Sequence, residues 1–123
     1  MLCILVLLII IVVLIVLSYD TQCNDLDETL RILVRQGARW ATAAKQDKNP
    51  LIATLHANYA AGYLWAINDI ATPKRIRRAT GIDYLRYKKE ITTIQDNVTR
   101  RLVGVCPDFA PSTDYLSQIG GEA

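Results

Sequence analysis

The first seventeen residues, Met1 to Leu17, carry no charge and no polar group beyond the thiol of Cys3, whereas everything after Tyr19 has the mixed pattern of a water-soluble protein. An α-helix rises about 1.5 Å per residue, so this run extends roughly 25 Å, close to the hydrocarbon thickness of a thin bilayer. Its Leu, Ile and Val side chains each favour insertion by roughly 0.3–0.6 kcal/mol, and no charge within the run opposes them. With Ser18 and the interfacial ring of Tyr19, residues 1–19 are expected to form a transmembrane anchor.

A cleaved secretory signal is the competing reading. It needs a basic leading segment, an apolar stretch of about 7–15 residues and a small-residue cleavage site. No Lys or Arg stands before the run in this sequence, the run is long, and only Val16-Leu17-Ser18 resembles a cleavage site. Retention is therefore the expectation. Arg31 and Arg35 lie within fifteen to twenty residues of the run on its carboxyl side, which favours a cytosol-facing domain; the nearer acids Asp20, Asp25, Asp27 and Glu28 carry little weight in that rule.

About a hundred residues follow the anchor, enough for one small core and not for two domains. Apolar spacing predicts an all-α fold: a small antiparallel helical bundle over 20–106, then an extended, Pro- and Gly-containing acidic tail over 107–123. In the first helix Asn24 is a candidate cap with Asp27 at the capping-box position. Leu26, Leu30, Leu33, Gly37, Trp40 and Ala44 form its apolar seam, opposite Arg31, Arg35, Arg39 and Lys45.

Asn49 and Pro50 open a second helix to about Ala71, with Ile52, Leu55, Tyr59, Gly62, Tyr63, Ala66 and Ile70 expected inside. Gly37, Ala60, Ala61 and Gly62 leave room for close backbone approach or for a ring in the notch, for which Trp40, Tyr59, Tyr63 and Trp65 are candidates. A short helix over Lys74 to Ala79 ends before Gly81. Thr80 and Asp83 then suggest a capping box for a last helix with Leu85, Lys88, Ile91, Ile94, Val98, Leu102 and Val105 inward, stopping at Cys106-Pro107. In the tail, Tyr115, Leu116 and Ile119 offer one docking turn.

The net charge of +2 hides an uneven distribution. Residues 73–101 hold nine Lys or Arg against three acids, whereas residues 107–123 hold Asp108, Asp114 and Glu122 with no basic residue. Lys74, Arg75, Arg77, Arg78, Arg86 and Lys89 are the candidate partner-binding residues. Helix, turn, helix is also the outline of a DNA-reading unit, but Ile82, Tyr84 and Leu85 stand where base-reading polar side chains belong. Positive charge alone suits phosphate, an anionic lipid surface or an acidic protein.

No catalytic set emerges. His56, the only histidine, shares a helix face with Tyr59 and Tyr63, but no nucleophile, phosphate loop or second metal ligand accompanies it, so packing is its expected role and no cofactor or metal is expected. Cys23 and Cys106 lie near the two ends of the soluble part and would be a candidate disulfide only in an oxidising compartment. Asn97-Val98-Thr99 is a glycosylation sequon inside a helical pattern.

The apolar start, the stretch Leu51-Ile52-Ala53-Thr54-Leu55-His56-Ala57-Asn58-Tyr59-Ala60-Ala61-Gly62-Tyr63-Leu64-Trp65 and the stretch Ala79-Thr80-Gly81-Ile82-Asp83 resemble short single-span virion proteins of nucleocytoplasmic large DNA viruses. That resemblance implies an anchor in the viral inner membrane and a helical domain against capsid or core proteins. The expected function is thus a membrane-anchored, non-enzymatic structural protein, a viral minor capsid or inner-membrane virion component, able to form homo-oligomers. Two alternatives are carried: a membrane-tethered binder of nucleic acid or anionic lipid through residues 73–101, and a secreted helical protein after signal cleavage.

Overall fold

The apolar run continues unbroken into the polar sequence beyond it. The computed structural model describes residues 2–109, apart from the side chains of residues 2, 3, 22 and 23, and opens with one 45-residue helix, α1 (Leu2–Gln46). At about 1.5 Å per residue, α1 is roughly 68 Å long. The expected cap at Asn24 is therefore absent: Asn24 and Asp27 lie inside the helix, and the boundary between residues 19 and 20 has no backbone break. The helix absorbs the polar residues in this stretch, where the Thr21 and Thr29 hydroxyls donate to the carbonyls of Leu17 and Asp25 four residues back, at 3.0 and 2.9 Å.

Three further α-helices complete the described residues: α2 (Pro50–Ile70), α3 (Pro73–Thr80) and α4 (Tyr84–Val105), with a 3₁₀ turn over Pro107–Phe109. Punctuation in the sequence sets their ends. Asn49 Oδ1 accepts from the amides of Leu51 and Ile52 ahead of Pro50, and Thr72 Oγ1 accepts from the Arg75 amide ahead of Pro73. Gly81, at φ 76°, closes α3 in the left-handed conformation that glycine adopts without penalty. The cap of α4 is Asp83, whose carboxylate accepts from the Arg86 amide; Thr80 instead remains in α3 and donates to the Ile76 carbonyl. Residues 110–123, including the expected docking turn at Tyr115, Leu116 and Ile119, lie outside the described residues, and the tail's first three form the 3₁₀ turn.

α2 folds back along α1, and α4 then runs in the direction of α1. At one end Leu30, Leu64, Ile67 and Ile76 are fully buried; at the other Ala44, Ala53, Ala57 and Val98 make a smaller cluster. The α1 seam follows the expected four-three spacing but is carried by Leu30, Val34, Gly37, Ala41 and Ala44, with Leu26, Leu33 and Trp40 at its half-buried margin. On α4, Tyr84, Ile91, Val98 and Leu102 are buried, whereas Leu85 and Val105, expected inside, point outward at 70% and 67% exposure.

The expected inner face of α2 is corrected outright. Ile52, Leu55, Tyr59, Gly62, Ala66 and Ile70 are exposed and Tyr63 is half-buried; the buried side consists of Ala53, Ala57, Ala60, Ala61, Leu64 and Ile67. The reason is steric. Alanines let neighbouring helix axes approach closely, so α1 and α4 pack on the small-residue side and the bulky residues are left outside.

The notch ring also differs from expectation. An added Cβ on Gly37 would overlap the Tyr87 hydroxyl and lie 3.3 Å from Tyr63 Cβ, so Tyr87 fills the notch rather than Trp40, Tyr59, Tyr63 or Trp65. Its hydroxyl donates to the Val34 carbonyl at 3.1 Å, tying α4 to α1. Burial, and secondarily the neighbouring Tyr84, push the Tyr87 phenol up to about 12.

Candidate interaction surfaces

α3 is held against α1 by two contacts of high sequence separation. Arg75 Nε lies 2.7 Å from Asp27 Oδ1 with both side chains largely buried, and Arg31 Nε donates to the Ala79 carbonyl at 3.0 Å. Arg75, expected to bind a partner, is therefore a structural residue of the α1–α3 contact. Breaking an ion pair this sheltered leaves a charge with reduced solvation, which is why it fixes α3 in place.

Lys74, Arg77 and Arg78 remain exposed around α3. Arg86 is exposed and paired with Glu90 at 3.1 Å, one turn along α4, and Lys89 is exposed beside it. The two groups do not form one face. Lys74 and Arg77 line a depression with Asp83 and Leu85, while Arg86 and Lys89 line another with Lys45 and Asn97. The basic residues Arg100 and Arg101 lie farther along α4, where Arg101 donates to the Asp47 carbonyl at 2.9 Å. Lys88, expected inward on the last helix, is half-buried with its ammonium 4.7 Å above the Trp65 ring.

His56 packs as expected, with its ring 5.2 Å from that of Trp40, which in turn meets Tyr59 edge-on at 5.1 Å. Its Nδ1 is buried 3.5 Å from Asp47 Oδ2 without making a hydrogen bond. On α4, the Tyr84 hydroxyl donates to Asn68 Oδ1 at 2.9 Å, and burial together with the Asp69 carboxylate raises its phenol above the usual range. These groups join helices. Among the described residues no three His, Cys, Asp or Glu side chains gather as metal ligands.

Cys106 caps α4 with a free, half-buried thiol, and its candidate partner in an oxidising compartment, Cys23, has a side chain outside the described ones. Asn97 of the sequon is exposed on α4, within the helix.

Two apolar surfaces emerge that no charge pattern marks. The first is α1 itself, where every residue from Ile4 to Leu17 is exposed; the helix is long and apolar enough to cross a membrane. The second is the outer side of α2, where Tyr59, Gly62, Tyr63 and Ala66 border a shallow groove of about 450 Å³ with Leu33 and Trp40. Its signal in the sequence is the near absence of charge from α2, which leaves only Asn58, Asn68 and Asp69 to face water among the bulky apolar side chains. No family, no curated protein and no solved structure matches the chain.

Proposed function

We propose that the chain is a single-pass membrane protein with a non-enzymatic structural role, in which residues 1–19 lie in a bilayer and the packed helices contact a protein partner on the cytosolic side. The observation that supports this reading most directly is the contrast within α1: Ile4 to Leu17 are all exposed, whereas beyond Leu30 the same helix has a buried seam. An apolar surface of that extent calls for a non-aqueous surrounding, and an unbroken helix satisfies its own backbone groups there. In this reading, which for the membrane and partner rests on the resemblance in the sequence to virion components, the membrane is a viral inner membrane and the partner a capsid or core protein.

Carbonate washing of a native membrane fraction, followed by intact mass measurement, tests the anchor. The expected outcome is a full-length mass in the pellet. A soluble protein lacking about eighteen residues would replace this reading with the secreted one.

A second reading, contact with anionic lipid, is favoured by the position of α3. Asp27 lies eight residues past Tyr19, about 12 Å along α1, so its ion pair with Arg75 holds α3 at the end of the packed helices nearest the membrane. The exposed Lys74, Arg77 and Arg78 are then close to the headgroup layer, where each cation adds about 1 kcal/mol of attraction to an anionic surface. Replacing these three by glutamate should lower recovery of the residue 20–123 fragment on phosphatidylserine vesicles and leave phosphatidylcholine vesicles unaffected.

A further inference from the structure

α2 contains no Lys or Arg and a single carboxylate, Asp69, and its outer side presents Leu51, Ile52, Leu55, Tyr59 and Ile70 to solvent. Bulky apolar side chains gathered on an outer helix face are normally covered. We propose that this outer face of α2 seats a second copy of the same chain, standing beside the first in the same membrane. The shared orientation of the copies rests on the anchored reading above.

Gly62 is the first argument for this occupant. It lies mid-helix on the exposed face, and a Cβ added there would meet nothing within 4 Å. Nothing in its own fold requires a glycine, although glycine is among the poorest helix formers. With Ala66 one turn on, it makes a Gly-x-x-x-Ala spacing, which lets two helices approach closely at a crossing. In a two-fold pair, residues near the axis meet their own copies, so the centre must be small while bulky groups flank it. Leu55 and Tyr59 precede this centre and Ile70 follows it.

Charge and height give the second argument. A face that meets itself brings every charge against its like, and this one carries no Lys or Arg and a single carboxylate, Asp69, two turns past Gly62 and toward the end of the face. Because α2 lies along α1, a neighbour inserted the same way presents the same residues at the same distance from the bilayer. A partner free in solution has no such match of height.

Area gives the third. The exposed parts of these side chains amount to roughly 500 Å² per copy, or about 1,000 Å² in a pair, at the lower limit for a specific interface. That is marginal for molecules diffusing freely. It suffices for chains held in one membrane, where effective concentration is high.

The test uses purified full-length chain in phosphatidylcholine vesicles, with Cys3, Cys23 and Cys106 replaced by serine and one cysteine introduced as Ala66→Cys. Oxidation should give a covalent dimer at least about tenfold faster than with Asp96→Cys on the exposed side of α4, because only an oriented pair brings the thiols within bonding distance. Adding Gly62→Leu should suppress the Ala66→Cys dimer by a similar factor while helical circular dichroism stays unchanged. No dimer at 66, equal yields at 66 and 96, or a dimer indifferent to Gly62→Leu would each overturn the proposal. Flotation of the same vesicles reads the anchor separately: protein that floats without pairing removes the pair and keeps the anchor, and protein that pairs without floating does the reverse.

Discussion

Leu64 and Leu55 are the same residue type on the same helix, two and a half turns apart, yet Leu64 is completely buried and Leu55 is 44% exposed. Leu64 shares its side of α2 with four alanines, Leu55 with Ile52, Tyr59 and Ile70. Apolar character alone does not assign a helix face to the core. What assigns it here is how near a neighbouring axis can come, and the alanine side admits α1 and α4 at close range. The bulkier side stays exposed.

The contrast predicts unequal costs for equal truncations. Leu64→Ala should destabilise the packed helices by about 2–5 kcal/mol in chemical denaturation, since it combines lost burial with a cavity. A cost below about 1 kcal/mol would mean that the alanine side is not the core. At the other extreme, Leu55→Ala should change the stability of the monomeric chain in dilute detergent by no more than about 0.5 kcal/mol. A loss comparable with that at position 64 would erase the distinction between the faces.

Between these limits lies the notch at Gly37, on the α1 seam that faces the alanine side. Gly37→Ala should cost about 1–3 kcal/mol, because the new methyl overlaps the Tyr87 hydroxyl. Tyr87→Phe alone should cost about 1 kcal/mol, for the hydrogen bond to the Val34 carbonyl. In the Tyr87→Phe background the penalty for Gly37→Ala should shrink, since the overlapping atom is gone; a double-mutant cycle reads that coupling, and strict additivity would show that the two do not share the notch.

The same ring sets an alkaline limit. The folded phenol titrates higher than the unfolded one, near 10, so the unfolded state loses its proton first. The stability it contributes is complete below about pH 10 and declines as pH rises toward about 12. Denaturation midpoints across that range should fall for the parent chain and fall less for Tyr87→Phe.

Much of this fold was legible in the sequence because Pro50, Pro73, Gly81 and Pro107 mark boundaries by local backbone chemistry. The four-three spacing of the α1 seam and its exposed Arg31, Arg35, Arg39 and Lys45 follow from periodicity, which finds Leu30, Gly37 and Ala44 but puts Leu33 and Trp40 in the places of Val34 and Ala41. On α2 the same reasoning selects the wrong side, since apolar residues stand on both sides and only Asn58, Asn68 and Asp69 mark the outer one. Asp27 resembled a local capping residue, but its partner Arg75 lies 48 positions away. For the same reason Arg75 was grouped with Lys74, Arg77 and Arg78, although one of the four faces inward. Tyr87 went unnoticed as the notch ring because its pairing with Gly37 exists only once α4 lies across α1.

The unbroken course of α1 turns a count of residues into a compass bearing. On the anchored reading proposed above, with no hinge between the apolar run and Leu30, the direction in which the outer side of α2 points around the membrane normal is geared to the rotation of the span itself. One residue inserted between Tyr19 and Asp25 would swing that side by about 100° and lift it about 1.5 Å. Seven would bring it back to within about 20° of its first bearing, roughly 10 Å higher. Neighbouring molecules would thus be sensitive to the length of this segment periodically, with a phase, rather than in simple proportion.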